Sequence, residues 1–180
     1  MNKEQFYKQY ISTIPNFPSE GVMFRDITPT LENGEAFKSA INDFVKIASQ
    51  YEFDKIICAD ARGFLFGAAL GYELEKGIIC ARKPGKLPRP GLSASYSLEY
   101  GQNTLFISEG SIKKGEKVLI VDDLLATGGS ASALIELINK SEATPVSAIF
   151  YIELPDLKGR SVIKKVSDIP VHSLISFEGE

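Results

Sequence analysis

The sequence predicts an α/β fold, a mostly parallel central sheet flanked by helices on both faces. Short apolar runs of strand length, at 53–59, 77–81, 118–121, 145–154 and 170–176, alternate with segments whose apolar residues recur at helical spacing. Several of these runs end in charge or glycine, which is where open parallel sheets bind ligands. With no internal repeat, right-handed crossovers bring 60–63, 82–83 and 122–130 to one C-terminal edge. At 180 residues the chain is near the usual length of one domain. It reads as a single domain over 1–180, with 1–33 as a distinct N-terminal segment within it.

Residues 1–14 place Phe6, Tyr7, Tyr10, Ile11 and Ile14 at helical spacings, an amphipathic helix laid on the body or on a partner subunit. The next stretch, PNFPSEGVMFRDITPTL at 15–31, has three prolines among large apolar groups and is neither a clean helix nor a clean strand. Such a segment is either a ligand-facing wall or a covering loop packed by Phe17 and Phe24. Residues 34–50 form an amphipathic helix with Phe37, Ile41, Phe44, Val45 and Ala48 on one face. The strand at 53–59 ends in Asp60, Ala61, Arg62 and Gly63, and a nearly apolar helix follows at 64–74, where Gly67 and Gly71 permit close packing. After the strand at 77–81, RKPGKLPRPG sets Arg82, Lys83, Lys86 and Arg89 among prolines and glycines. That is a cationic loop suited to a polyphosphate. Polar and aromatic residues from 93 onward, including SYSLEYG, suit a flap that excludes water, with TLFIS as a strand behind it. Further on come a strand at 145–154, a charged loop or helix at 156–168 and a last strand at 170–176. The lone His172 lies in that last strand, has no metal-ligand spacing around it and is read as structural.

The stretch KVLIVDDLLATGGS at 117–130 organises the chain. An apolar strand runs into Asp122 and Asp123, then into a turn of Thr127, Gly128, Gly129 and Ser130 at the N-terminus of a helix. Unpaired N–H groups there surround a phosphate, and glycines let the backbone approach it. A pure phosphate cradle has no use for two carboxylates. Beside it they suit a sugar's vicinal hydroxyls, or a divalent cation that the phosphates also hold. Phosphate and sugar together suggest a ribose phosphate. No Lys follows the glycines as in a Walker A loop, and GxGxxG follows none of the strands.

Twenty Lys and Arg against 23 Asp and Glu give a formal charge of −3, which offers no general argument for a nucleic-acid or membrane partner. Cys58 and Cys80 each sit in an IICA run and are expected to be buried thiols. With no cationic leader and no run long enough to cross a bilayer, a cytoplasmic protein is expected.

Taken together, PNFPSEGVMFRDITP, ADARGFLFG, RKPGKLP, SYSLEYG, VLIVDDLLATGGS and YIELPDLKGR resemble the type I phosphoribosyltransferases in order and spacing, over roughly residues 15–178. The resemblance implies that family's sheet, with a small hood from the N- and C-terminal segments. It also implies an enzyme of purine salvage that binds 5-phosphoribosyl 1-pyrophosphate with Mg²⁺ and joins its C1 to adenine, releasing AMP and diphosphate. On that basis Ala126, Thr127, Gly128, Gly129 and Ser130 hold the 5-phosphate, and Asp122 and Asp123 face the ribose hydroxyls. Asp60, Ala61 and Arg62 form the pyrophosphate loop, often with a cis peptide. Arg82, Lys83 and Lys86 neutralise the diphosphate, partly from a neighbouring subunit, so a homodimer is implied. Phe24 and Leu154 cover the two faces of adenine while Met23 and Arg25 offer backbone groups to its edge. No acidic side chain is obviously aimed at the exocyclic amine. Glu99 on the flap, with Tyr100 beside it, is the implied catalytic carboxylate, taking a ring proton or stabilising the ribosyl cation. Mg²⁺ is expected mainly on diphosphate oxygens and water rather than on protein ligands. Two departures stand out, Asp60 where many bacterial relatives have Glu and an extra Pro90 before the flap.

Overall fold

The computed structural model describes residues 2–89, 91–97 and 102–179. Helix α1 (Lys3–Lys8) opens with a capping box in which Asn2 and Gln5 satisfy each other's backbone N–H. It stops six residues earlier than its apolar spacing predicts, because Ser12–Pro15 becomes strand β1 and pairs antiparallel with β2 (Met23–Asp26). The turn between them uses Asn16 at φ 58° and Gly21 at φ 88°. The irregular stretch therefore contains a strand, and then helix α2 (Thr28–Glu32) with proline in its first turn. Helix α3 (Gly34–Ala48) follows, capped by Asn33, whose side chain accepts from Ala36 N–H at 2.9 Å.

Strand β3 (Lys55–Ala59), helix α4 (Gly63–Glu73) and strand β4 (Gly77–Ala81) make the first βαβ unit. Strands β5 (Gly91–Ser97) and β6 (Gln102–Ser108) form an antiparallel ribbon where a flap followed by one strand was expected. The long strand β7 (Lys117–Leu125), helix α5 (Gly129–Lys140) and strand β8 (Thr144–Glu153) make the second unit. A 3₁₀ turn at Pro155–Leu157, helix α6 (Gly159–Val166) and strand β9 (Val171–Ser176) complete the chain. The five main strands pair in the order β4-β3-β7-β8-β9, every pair parallel.

Period-2 alternation sends the sheet's side chains to two cores. Ile57, Val118, Ile120, Ala148 and Phe150 pack under α5 and the β5–β6 ribbon. On the opposite face Ile56, Leu119, Val121, Ile149 and Tyr151 pack against α1, α3 and α4. Gly67 sits directly on β3, where a Cβ would stand 2.5 Å from Cys58 Sγ, so close helix–sheet packing needs a glycine. Both cysteines are free thiols, Cys58 buried and Cys80 partly so. Desolvation pushes the Cys58 thiol above its ordinary range, with the neighbouring Cys80 adding to it. His172 shares a 2.6 Å hydrogen bond with the Tyr51 hydroxyl, a packed structural setting.

Candidate active site

Strand β7 does not end at its apolar run. It continues through the paired carboxylates to Leu125, with Asp122 opposite Phe150 and Leu125 opposite Glu153. Extended backbone thus holds Asp122 and Asp123 rigidly, each only 6% exposed. Asp122 Oδ1 accepts from Asp123 N–H at 2.9 Å, and the absent side chain of Gly63 makes room for it, since a Cβ there would lie 2.5 Å from that oxygen. Burial raises the Asp122 carboxyl well above its usual range, and the Asp123 charge adds to the rise. Burial also raises Asp123, against the pull of Arg62. Arg62 Nε lies 2.9 Å from Asp123 Oδ2, yet that buried oxygen has no hydrogen-bond partner, so the contact is an ion pair without hydrogen-bond geometry.

After Leu125 the chain turns through Ala126, Thr127 and Gly128 into the N-terminus of α5. Gly128 takes φ 82°, and a Cβ on it would stand 2.6 Å from Gly159 O, so the turn is seated against the start of α6. Gly129 lies beneath Tyr96, where a Cβ would meet the ring at 2.6 Å. In front of the turn opens a crevice of about 540 Å³ bearing Asp60, Arg62, Lys83, Asp123, Thr127 and Ser130. Ala61, Asp122, Ala126 and Gly128 line it too. A larger groove of about 970 Å³ between the ribbon, α5 and α6 is mostly apolar and, among the described residues, shares Tyr96 and Thr127 with the crevice.

The loop after β3 carries a cis peptide between Asp60 and Ala61, as the family resemblance implies. Asp60 Oδ2 accepts from Arg82 Nε at 3.1 Å and from Lys83 N–H at 3.4 Å. Burial pushes that carboxyl up, but the Arg82 and Lys83 contacts outweigh it and hold it below the ordinary value. Of the cationic loop, Lys83 reaches the crevice. Arg82 and Lys86 instead line a separate cavity of about 440 Å³ beside β4.

A further cavity, of about 450 Å³, has Phe17, Phe24, Asp26, Ile27 and Leu31 in its wall and shares Arg62 with the crevice. The Phe24 ring packs edge-on against Phe17 at 5.0 Å, and the Arg62 guanidinium lies 5.3 Å over it. Phe24 is therefore joined to the crevice through Arg62. Met23 and Arg25 flank it on β2, with the Arg25 side chain turned to Thr13 and Phe177. Leu154 is buried at the end of β8 and lines neither cavity. Glu99, Tyr100 and Pro90 lie outside the described residues.

Three of the lining residues are not singled out from the sequence. Asp26 sits in the wall of the Phe24 cavity with Oδ1 taken by Thr28 N–H at 2.9 Å and its hydroxyl at 2.6 Å. Tyr96 and Asn103 reach the crevice from the β5–β6 ribbon. Alternation in SYS would have pointed to Tyr96 had the segment been read as a strand.

Paired carboxylates inside a central strand, a glycine turn opening a helix and a charged loop one strand away define a class, the phosphoribosyl transferase domain, whose family matches residues 28–175. An adenine phosphoribosyltransferase of Desulfosudis oleivorans is 50% identical over 173 residues, spanning 96% of this chain and 98% of that one. The solved adenine phosphoribosyltransferase of Thermoanaerobacter pseudethanolicus superposes with a TM-score of 0.91 at 44% identity, covering 96% of this chain and 99% of its own. That of Saccharomyces cerevisiae, solved with an imino-altritol bisphosphate and adenine, gives 0.87 at 39% identity, over 96% and 98% of the two chains. The chain belongs to the adenine phosphoribosyltransferase family.

Proposed function

We propose that the crevice and the Phe24 cavity form one active centre, at which this chain transfers the 5-phosphoribosyl group of 5-phosphoribosyl 1-pyrophosphate to adenine, giving AMP and diphosphate. The observation that carries this reading is Arg62, which lines both cavities and touches both Asp123 and the Phe24 ring. A single side chain thus faces the sugar diphosphate on one side and the base on the other.

The turn of Ala126 to Ser130 binds the 5-phosphate through N–H groups at the start of α5 and the hydroxyls of Thr127 and Ser130. Asp122 and Asp123 accept the ribose hydroxyls. Asp123 Oδ2 supports that role, since it is buried beside Arg62 without hydrogen-bond geometry and so keeps the capacity to accept from a hydroxyl. The same carboxylate also suits Mg²⁺ brought in with the diphosphate, Asp122 and Asp123 being acidic groups that line the crevice. When bound, Mg²⁺ supplies positive charge to the leaving oxygens.

A ring nitrogen of adenine bonds to C1 as the bond from C1 to the diphosphate oxygen breaks, and the electron pair leaves with the diphosphate. Positive charge grows on the ribose, which the buried carboxylates stabilise, and negative charge grows on the departing oxygens, which Arg62, Lys83, Arg82 and Lys86 balance. Arg82 and Lys86 lie beside the crevice rather than in it, and this supports a homodimer in which they serve a neighbouring site. Phe24 covers one face of the base and backbone groups of Met23 and Arg25 read its edge, whereas Leu154, which lines neither cavity, is assigned to the other face by the family resemblance. Glu99, with Tyr100 next to it in sequence, takes the ring proton or steadies the ribosyl cation. Free thiols at Cys58 and Cys80 suit a cytoplasmic enzyme.

Incubation with adenine, 5-phosphoribosyl 1-pyrophosphate and Mg²⁺ is expected to form AMP, with hypoxanthine, guanine, uracil and orotate poor competitors. Folded protein that forms no AMP would overturn the reading.

A further inference from the structure

We propose that Phe177 is a positioning residue for base recognition, tying the strand that carries Phe24 to the end of β8 that carries Leu154. The proposal rests on the reading of Phe24 and Leu154 as walls of the adenine site. Phe177 follows β9, and its N–H donates to Glu153 O at 3.0 Å, one residue before Leu154. Its ring packs in the same apolar cluster as Leu154. The Arg25 guanidinium sits 4.5 Å from the centre of that ring, and Lys8 Nζ sits 5.0 Å from it.

Arg25 is the residue after Phe24. Its Nη1 donates to Thr13 Oγ1 at 2.6 Å, across the ladder on β1, while its Nε is buried without a hydrogen-bond partner. The Phe177 face is then, with the Thr13 hydroxyl, what compensates this guanidinium. The need for an anchor follows from the topology. Among the described residues strands β1 and β2 pair only with each other, and an isolated two-stranded ribbon is marginally stable in water. Attached through Arg25 to Phe177, the ribbon is held at a set distance from β8. The Arg25 side chain is also drawn away from the Phe24 cavity, which leaves the β2 backbone to face the base.

If the ribbon is held ready for adenine, loosening it lowers the competent fraction and weakens adenine in proportion. Steady-state kinetics on the full-length enzyme test this. Phe177→Leu is expected to raise KM for adenine about three- to tenfold, the size of one cation–π contact. The kcat and the KM for 5-phosphoribosyl 1-pyrophosphate should stay within about twofold, because the turn before α5 is held by other contacts. Arg25→Gln, which also removes the Thr13 hydrogen bond, should raise KM for adenine at least as much, and the double variant should fall short of the sum of the two, since both remove the Arg25–Phe177 contact. Phe177→Tyr keeps the ring and should restore the wild-type KM. Phe24→Ala, measured alongside, separates the proposal from its premise. A raised KM for adenine in Phe24→Ala but not in Phe177→Leu or Arg25→Gln overturns the positioning role and leaves the base site standing. An unchanged KM in all three overturns both. A fall in kcat with a rise in both KM values, unrescued by Tyr, marks Phe177 as structural only and also overturns it.

Discussion

Asp122 is a carboxylate kept where ionisation is costly, and its consequence shows in how stability depends on pH. Burial and the neighbouring Asp123 raise its native pKa above the ordinary 3.8. Between those two values the folded protein binds more protons than the unfolded chain, so this group's contribution to stability is full below 3.8 and is lost as pH rises through the native pKa. Asp60 and Glu153 behave oppositely. Burial raises each, but Arg82 and Lys83 outweigh it at Asp60, and Arg160 and Ser173 at Glu153; their contribution is present above the ordinary values and lost on acidification. Asp122→Asn keeps an acceptor for the Asp123 N–H without the charge. Thermal melts of the ligand-free variant should lie above wild type at neutral pH, with the gap closing as pH falls toward the ordinary aspartate range. A gap that does not change with pH would argue against burial as the cause. The same variant should bind 5-phosphoribosyl 1-pyrophosphate more weakly, so the site trades stability for function. The chemistry of these carboxylates was legible in VDDLLATGGS, because charge beside a glycine turn has few uses. Asp26 was not, since its place in the cavity wall depends on where β2 is packed.

At the scale of elements, the turn between β7 and α5 works only because it is pressed against α6. A Cβ at Gly128 would meet Gly159 O at 2.6 Å and would have to sit at φ 82°. Gly128→Ala should therefore cost about 1–3 kcal/mol, visible as a lower denaturant midpoint. It should also reduce kcat/KM for 5-phosphoribosyl 1-pyrophosphate at least tenfold, if a misplaced turn costs about 1.4 kcal/mol or more of transition-state binding. An alanine variant with native stability and unchanged kinetics would show that the turn tolerates displacement. The glycine pair was visible in sequence, but its buttress was not. Strands β1, β2 and β5 escaped for a related reason: prolines, polar residues and short length weaken their pattern, and each exists because a partner strand supplies its ladder. Strand β7 outruns its apolar stretch for the same reason, with β8 beside it as far as Leu125.

The whole molecule stacks two cores on one sheet and leaves β4 at an edge. Around that edge Tyr72 is 85% exposed and Ile78 38%. Those apolar groups suit a second copy placed near Arg82 and Lys86. Light scattering should give twice the chain mass, and Tyr72→Asp with Ile78→Asp should shift it toward monomer; an unchanged dimer would put the contact elsewhere. Among the described residues no helix is long and apolar enough to cross a membrane.

Local chemistry was enough to place the βαβ order, the glycine turn, the paired carboxylates and the cationic loop, because spacing and residue type act within a few positions along the chain. Only the folded structure decided that Arg62 joins two cavities, that Arg82 answers to Asp60 and that Phe177 meets Arg25. Those contacts span 20 to more than 150 positions in sequence and follow from packing, which no short stretch encodes.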